Sequence, residues 1–427
     1  MKTVKIQLGH KTTLFSGLFL LLLSLFSIFY FFFFVPLEAQ GERALFWSFQ
    51  SIDTMKYSRD LAREKLNDPS FDAVIAKQVK DIASTGATHV AIATPYDEEF
   101  YPMLQRWVRA ARREHLNVWF RGNFSGWEGW FSYNKITREE HMKKTEEFLN
   151  AHPDLFANGD VFTACPECEN GGAGDPRLTG DVAGHRQFLI EEYALTKSFF
   201  SGRNKKVASN YDSMNKDVAE LVMDKDTTRA LDGIVTIDHY VASGEKLAED
   251  IKSLSETTGG KIILGEYGAP IPDINGPMNE KEQAEWIKNT GSLLVKANTL
   301  IGVNYWVNTG GSTQLWNEDG TKRLAVDAIT SYYAPQQLKL SVKNELGRPI
   351  HNATIKGEER FVITSKNGVG ALPYFDKTEK ITVNATNYKP KTLSISDVNN
   401  SSLTLESVSE SPLFKLLKFF MAREVSK

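Results

Sequence analysis

From residue 44 to residue 333 the chain repeats a two-part unit: a short β-rich run ending in polar and aromatic residues, then an amphipathic helical stretch. The spacing predicts strands over 44–50, 89–94, 116–121, 161–165, 206–210, 234–239, 261–265 and 300–306. Helical periodicity covers 71–84, 98–114, 137–150, 184–200, 216–231, 245–257, 280–297 and 323–333. Thr137 and Glu140 open one of these helices with the spacing of a capping box. Strands that alternate with helices pair in parallel through right-handed crossovers. Eight such units in about 290 residues predict a closed (β/α)8 barrel, a fold that commonly takes about 250. The competing topology, a doubly wound open sheet, carries a Gly-rich phosphate loop after an early strand, and the sequence contains none.

Near Ala334 the pattern changes. Short alternating runs at 338–342, 354–355, 360–364, 380–383, 391–395 and 403–405 are separated by turn signals at 344–347 and 367–368. They predict a small β-sandwich over 336–406, after a barrel over 41–335. Its opening "NELGRPIHNATI" and ending "NYKPKTLSI" resemble Ig-like or prealbumin-like modules appended to extracellular enzymes. That resemblance implies a spacer, a carbohydrate contact or a brace for the barrel.

The two ends carry a different signal. Residues 14–35 hold 22 uncharged residues, almost all Leu, Phe, Ile or Ser. About 20 apolar residues span a bilayer core, whereas a cleaved signal peptide has an apolar region of roughly 7–15. The expectation for 1–40 is a basic stub and a transmembrane signal anchor. Lys2, Lys5 and Lys11 precede the span, which places the rest of the chain outside the cytoplasm. A cleaved signal is the alternative. At the other end, 407–427 is expected to be an amphipathic basic tail, with Leu413, Leu416, Leu417 and Phe420 on one helical face. It would rest on the membrane or on the protein itself. The ends contribute +3 each to a net charge of −3, which leaves −9 for residues 13–412. So acidic a body argues against nucleic acid as partner.

In a (β/α)8 enzyme, chemistry sits at the C-terminal ends of the strands. Read in order, those ends bring Trp47 and Gln50, Tyr96 and Asp97, Arg121 and Asn123, Glu167 and Glu169, Asn210 and Asp212, then Asp238, His239 and Tyr240, then Glu266, and last Asn304, Trp306 and Asn308. Carboxylates among aromatic rings suit sugar chemistry, because rings stack on pyranose faces and carboxyl groups do acid–base work. Glu167 after the fourth strand and Glu266 after the seventh face one another across the mouth. A separation of about 5–5.5 Å would imply retention through a covalent intermediate. Glu169 is a rival to Glu167, since residues two apart share a face of a strand. Each of the other residues also has a plain structural reading: packing for Tyr96 and His239, an internal ion pair for Arg121, a strand cap for Asp238.

At these strand ends the chain resembles the clan A retaining glycoside hydrolases. Strand seven, "KIILGEYGAP", is similar to the clan's nucleophile motif, and "TIDHY" to its His-x-Tyr pattern. "VNYW" resembles the segment bearing the Trp that floors the sugar subsite. The resemblance implies Glu266 as nucleophile, Glu167 as acid/base, Tyr240 as donor to the nucleophile and Trp306 as sugar platform. It implies an oligo- or polysaccharide substrate and no cofactor. Strand four departs from the clan: Pro166 and Cys168 replace the usual Asn and Pro around Glu167. That departure leaves open an inactive glycan-binding barrel of an envelope complex.

Cys165 and Cys168 are the chain's two cysteines. Outside the cytoplasm their spacing admits a local disulfide bracing the loop of Glu167. Thiol oxidoreductase chemistry is the alternative, and no further ligands suggest a metal site.

Overall fold

The computed structural model describes residues 45–357, 360–374, 377, 379–398 and 401–408. The expected anchor at 14–35 and basic tail at 407–427 lie outside these residues, save for Ser407 and Val408. Within them no helix is long and apolar enough to cross a membrane.

Eight parallel strands close into a barrel in sequence order. They are β1 (Phe49–Asp53), β2 (His89–Ile92), β3 (Asn117–Phe120), β4 (Val161–Pro166), β5 (Ala208–Ser213), β6 (Ile234–Asp238), β7 (Lys261–Tyr267) and β8 (Leu300–Tyr305). The surrounding helices are α1 (Phe71–Ser84), α2 (Tyr101–Arg113), α3 (Arg138–Ala151), α4 (Val182–Gly202), α5 (Lys216–Val222), α6 (Lys225–Ala230), α7 (Gly244–Thr258), α8 (Glu280–Leu294) and α9 (Leu324–Tyr333). The stretch 216–231, expected as one helix, is two. Asp224 stops the first and caps the second, its side chain accepting from Thr227 N. The capping box at α3 forms, with Thr137 and Glu140 bonding each other's backbone amides.

The core has two shells set by strand alternation. Outward residues such as Ile52, Val90, Phe120, Ile237 and Leu264 pack under the helices. Inward, Phe49, Ala91 and Trp119 form a separate cluster with Val161 and Ile263. Above it lies a polar layer: Trp119 Nε1 and Asn210 Nδ2 donate to Thr163 Oγ1, at 2.8 and 3.0 Å, and Thr236 donates to Asn210 Oδ1 at 2.7 Å. Above that the interior is charged.

β1 begins at Phe49, not at 44, which reverses the ends of this strand. Trp47 and Gln50 belong to the N-terminal face, opposite the mouth. Trp47 is buried against Tyr332 of α9, and Gln50 Nε2 donates to Tyr333 O at 2.9 Å. Trp47 therefore cannot line a substrate cleft, and the mouth-side end of β1 is Asp53.

After α9 only Ala334 and Pro335 separate the barrel from β9 (Gln336–Asn344). The strands β10 (Thr354–Lys356), β11 (Phe361–Ile363), β12 (Val369–Tyr374), β13 (Lys380–Asn384), β14 (Lys391–Ser394) and β15 (Ser402–Leu405) follow. They form a sheet ordered β11-β10-β13-β14 and another ordered β12-β9-β15. Leu340, Val342, Leu372 and Leu405 of one sheet meet Ile355, Ile381 and Val383 of the other in a shared core. β12 was not expected, because Gly370 and Pro373 break its pattern. It is an edge strand, where proline is tolerated. Arg360 lies over the Phe46 ring at 5.0 Å, and barrel and sandwich belong to one compact unit.

Candidate active site

The charged layer is organised by Arg121, which follows β3 and is 2% exposed. Its Nη1 donates to Asp53 Oδ2 at 2.9 Å and Glu266 Oε1 at 3.0 Å. Its Nη2 donates to Asp212 Oδ2 at 2.6 Å and Asp238 Oδ2 at 2.7 Å, and Nε reaches Asp212 Oδ2 at 3.0 Å. One guanidinium thus holds four carboxyl groups from β1, β5, β6 and β7. Two of their outer oxygens, Asp212 Oδ1 and Asp238 Oδ1, are buried with no donor among the described residues. Both crowd Gly265, where a Cβ would stand 2.3 Å from Asp238 Oδ1 and 2.5 Å from Asp212 Oδ1. Glycine at 265 is what lets these carboxyl groups approach the strand. Burial holds Asp238 well above the usual carboxylate range, against the pull of Arg121.

Glu266 is brought into this layer by a register shift between β6 and β7, which pairs Ile237 with Leu264 but Asp238 with Glu266. Such shifts at barrel rims re-aim side chains. Its second oxygen accepts from Tyr240 Oη at 2.7 Å. Burial raises Glu266, while Arg121 and the Tyr240 hydroxyl favour its ionised form. Burial and the Glu266 charge keep Tyr240 protonated, hence a donor.

Glu167 stands just beyond β4, which has its own register shift between Thr163 and Pro166. Its backbone is left-handed, with φ +45°. A non-glycine residue held there costs of order 1–3 kcal/mol and marks a functional constraint when the surroundings enforce it. Here they do. Glu167 N donates to Asp212 O at 2.9 Å, Asn170 N donates to Glu167 O at 2.7 Å, and a disulfide joins Cys165 to Cys168 across the turn. Asn170 Nδ2 donates to Glu167 Oε2 at 3.0 Å. Burial, then the Glu266 charge, push Glu167 up to about 8. The two carboxyl groups therefore sense one another yet differ in support: two strong donors for Glu266, one neutral amide for Glu167. In a coupled pair the shared proton resides on the less supported member.

Trp306 follows β8 and meets Tyr240 edge to face, ring centroids 6.1 Å apart. The structure thus assembles Arg121, Glu167, Asp238, Tyr240, Glu266 and Trp306 in one mouth. It removes others from it. Tyr96 is buried among Phe124, Phe148 and Phe162 and gives its hydroxyl to Thr163 O at 2.7 Å. Asn123 is fully buried, its Oδ1 taken by His141 and by Phe124 N. Glu169 is fully buried and accepts from Tyr211 and Ser213, both at 2.5 Å. It is no rival acid/base, because the left-handed turn at Glu167 ends the alternation that would have put both on one face. Asn210 uses both polar ends in the layer beneath. His239 points outward to Asp250 of α7, with Nε2 at 3.0 Å from Oδ2.

Asp53 and Asp212 belong to the site as well; the first was hidden by the misplaced β1, and the second lies at the fifth strand end, as expected, but carried no motif to assign it a role. Both cysteines are about 2% exposed or less, and the next helical turn, Pro176–Thr179, starts eight residues after Cys168. Thiol oxidoreductase chemistry, which needs an exposed sulfur near a helix start, is excluded by that burial.

No family model matches the chain, and no curated protein matches it in sequence. In fold it is similar to several glycoside hydrolase structures. A GH5_18 protein from Bifidobacterium longum subsp. infantis is 13% identical, covering 72% of this chain and 87% of its own, with a TM-score of 0.49. An endo-1,4-β-xylanase from Penicillium canescens is 10% identical over 67% of this chain and 94% of its own, TM-score 0.46. A β-glucuronidase from Bacteroides uniformis is 9% identical over 78% of this chain, TM-score 0.45, and this chain spans only 44% of its length. The chemistry is argued from the site itself.

Proposed function

We propose that this protein is a retaining β-glycoside hydrolase, tethered to a membrane through residues 14–35 and acting outside the cytoplasm on an envelope or extracellular glycan. The observation that carries the reading is the unequal pair: Glu266, raised by burial but accepting from Arg121 and Tyr240, and Glu167, which feels the Glu266 charge and is pushed up to about 8. Glu266 attacks the anomeric carbon while Glu167 gives its proton to the departing glycosidic oxygen. Glu167, now ionised, takes a proton from water as that water's oxygen attacks the anomeric carbon and releases Glu266. Trp306 stacks on the sugar. Tethering and topology rest on the uncharged 22-residue run and the lysines before it.

The test is Glu266→Ala on an aryl β-glycoside. Turnover should vanish, and azide should restore it with an inverted product. Full activity in this variant sinks the assignment, and so does azide rescue with retained configuration.

A further inference from the structure

One helical turn above the mouth is built unlike the rest. Lys56–Asp60, after β1, is a π-helical turn, a rare conformation that recurs at functional sites. It presents two cations, each set over a tryptophan ring: Lys56 Nζ lies 5.4 Å from the Trp306 centroid, and the Arg59 guanidinium 4.6 Å from that of Trp130. Trp306 is the ring that leads through Tyr240 to Glu266. Among the described residues the ion-pair partner of Lys56 is Asp60 at 3.6 Å, and Asp60 is already held by Arg59 Nε at 2.9 Å. The Trp306 Nε1–H is buried with no acceptor among the described residues. A sugar platform thus comes with an underused ammonium and an unmet N–H donor.

We propose that the substrate carries an anionic substituent, a carboxylate or a sulfate ester, on the sugar that stacks on Trp306, and that Lys56 reads it. This rests on the glycosidase reading above. A neutral pyranose that stacks on Trp306 disturbs the ammonium over the ring and offers it only uncharged hydroxyl acceptors. An anionic one gives Lys56 a charge-assisted hydrogen bond. The carboxyl groups around Arg121 repel any second anion at the mouth, so its substituent must lie on the side where Lys56 stands.

The experiment measures kcat/KM for three aryl β-glycosides with one leaving group: the glucoside, the glucuronide and the glucoside 6-sulfate. The wild type should favour at least one anionic sugar over the glucoside. In Lys56→Gln the anionic-to-neutral ratio should fall roughly ten- to a hundred-fold, the worth of one charge-assisted bond, and Lys56→Arg should restore part of it. Loss confined to the glucuronide identifies a carboxylate, and loss confined to the 6-sulfate a sulfate. A wild type that prefers the glucoside overturns the proposal, as does a variant in which all three fall together. If the wild type cleaves none, the glycosidase reading fails separately. Calorimetry with glucuronate, glucose 6-sulfate and glucose then decides for Lys56: tighter binding of an anion that Lys56→Gln abolishes supports it, and equal binding overturns it.

Discussion

Arg121→Lys keeps the positive charge in the barrel and removes the planar fork. Arginine makes five hydrogen bonds here to four carboxyl groups. A lysine ammonium has three donors, so at least two bonds are lost even with ideal placement. Hydrogen bonds to charged groups contribute about 1.5–3 kcal/mol each, which gives a loss of about 3–6 kcal/mol. Against a typical stability of about 5–15 kcal/mol, that is a large fraction. Equilibrium unfolding in urea, followed by tryptophan fluorescence, should show the midpoint falling with the slope unchanged. The deficit should shrink as the pH is lowered, because protonated carboxyl groups no longer need the fork. If Arg121→Lys unfolds within about 0.5 kcal/mol of wild type at pH 7, below the cost of losing even one such bond, the idea that this guanidinium holds the charged layer together is wrong.

Glu167→Gln tests the raised acid. A carboxyl group whose folded value lies near 8 binds its proton more tightly folded than unfolded, so the stability it contributes is full below about 4.5 and is lost as the pH rises through about 8. The Gln variant, always neutral, should match wild type near pH 5 and be the more stable above pH 8, measured by thermal melts across that range; parity at pH 9 counts against the shift. Cys165→Ser with Cys168→Ser opens a four-residue loop, worth about 2 kcal/mol by chain entropy. Its kcat should fall far more than its melting temperature suggests, because the left-handed turn carrying Glu167 relaxes; unchanged kcat would show that the disulfide does not position this acid. Gly265→Ala places a methyl group against two buried carboxyl oxygens and should abolish soluble expression or lower the melting temperature by more than 10 °C, and a wild-type melt would refute the close approach.

The architecture was legible because outward strand residues and helix faces keep their hydrophobic periods. The interior was less so. β1 reads "FQSID", with Ser51 and Asp53 pointing inward into a polar layer, so the aromatic run before it looked the better strand. That shift put Trp47 in the site and kept Asp53 out. Adjacent residues on a strand face opposite ways, so Asp238 and His239 were never both able to enter the mouth. Asn123 failed for a different reason. The chain turns at Gly122, whose absent Cβ would lie 2.2 Å from Thr94 O, and the alternation that put Arg121 inside stops there. Tyr240, Glu266 and Trp306 were readable from motif-like stretches, and Glu167 only from its place at the end of strand four, where its neighbours depart from the motif. The turn that separates Glu167 from Glu169 depends on long-range bonds to β5, to which local sequence is blind.

The two-residue link between α9 and β9 has a mechanical meaning. Proline fixes one of its backbone torsions, and Arg360 pins the sandwich near the start of β1. The short link and this contact seat the module at the N-terminal face of the barrel, the side opposite the mouth. Lengthening the 334–335 link should therefore loosen the module's seat on the N-terminal face and leave the geometry of the mouth unchanged.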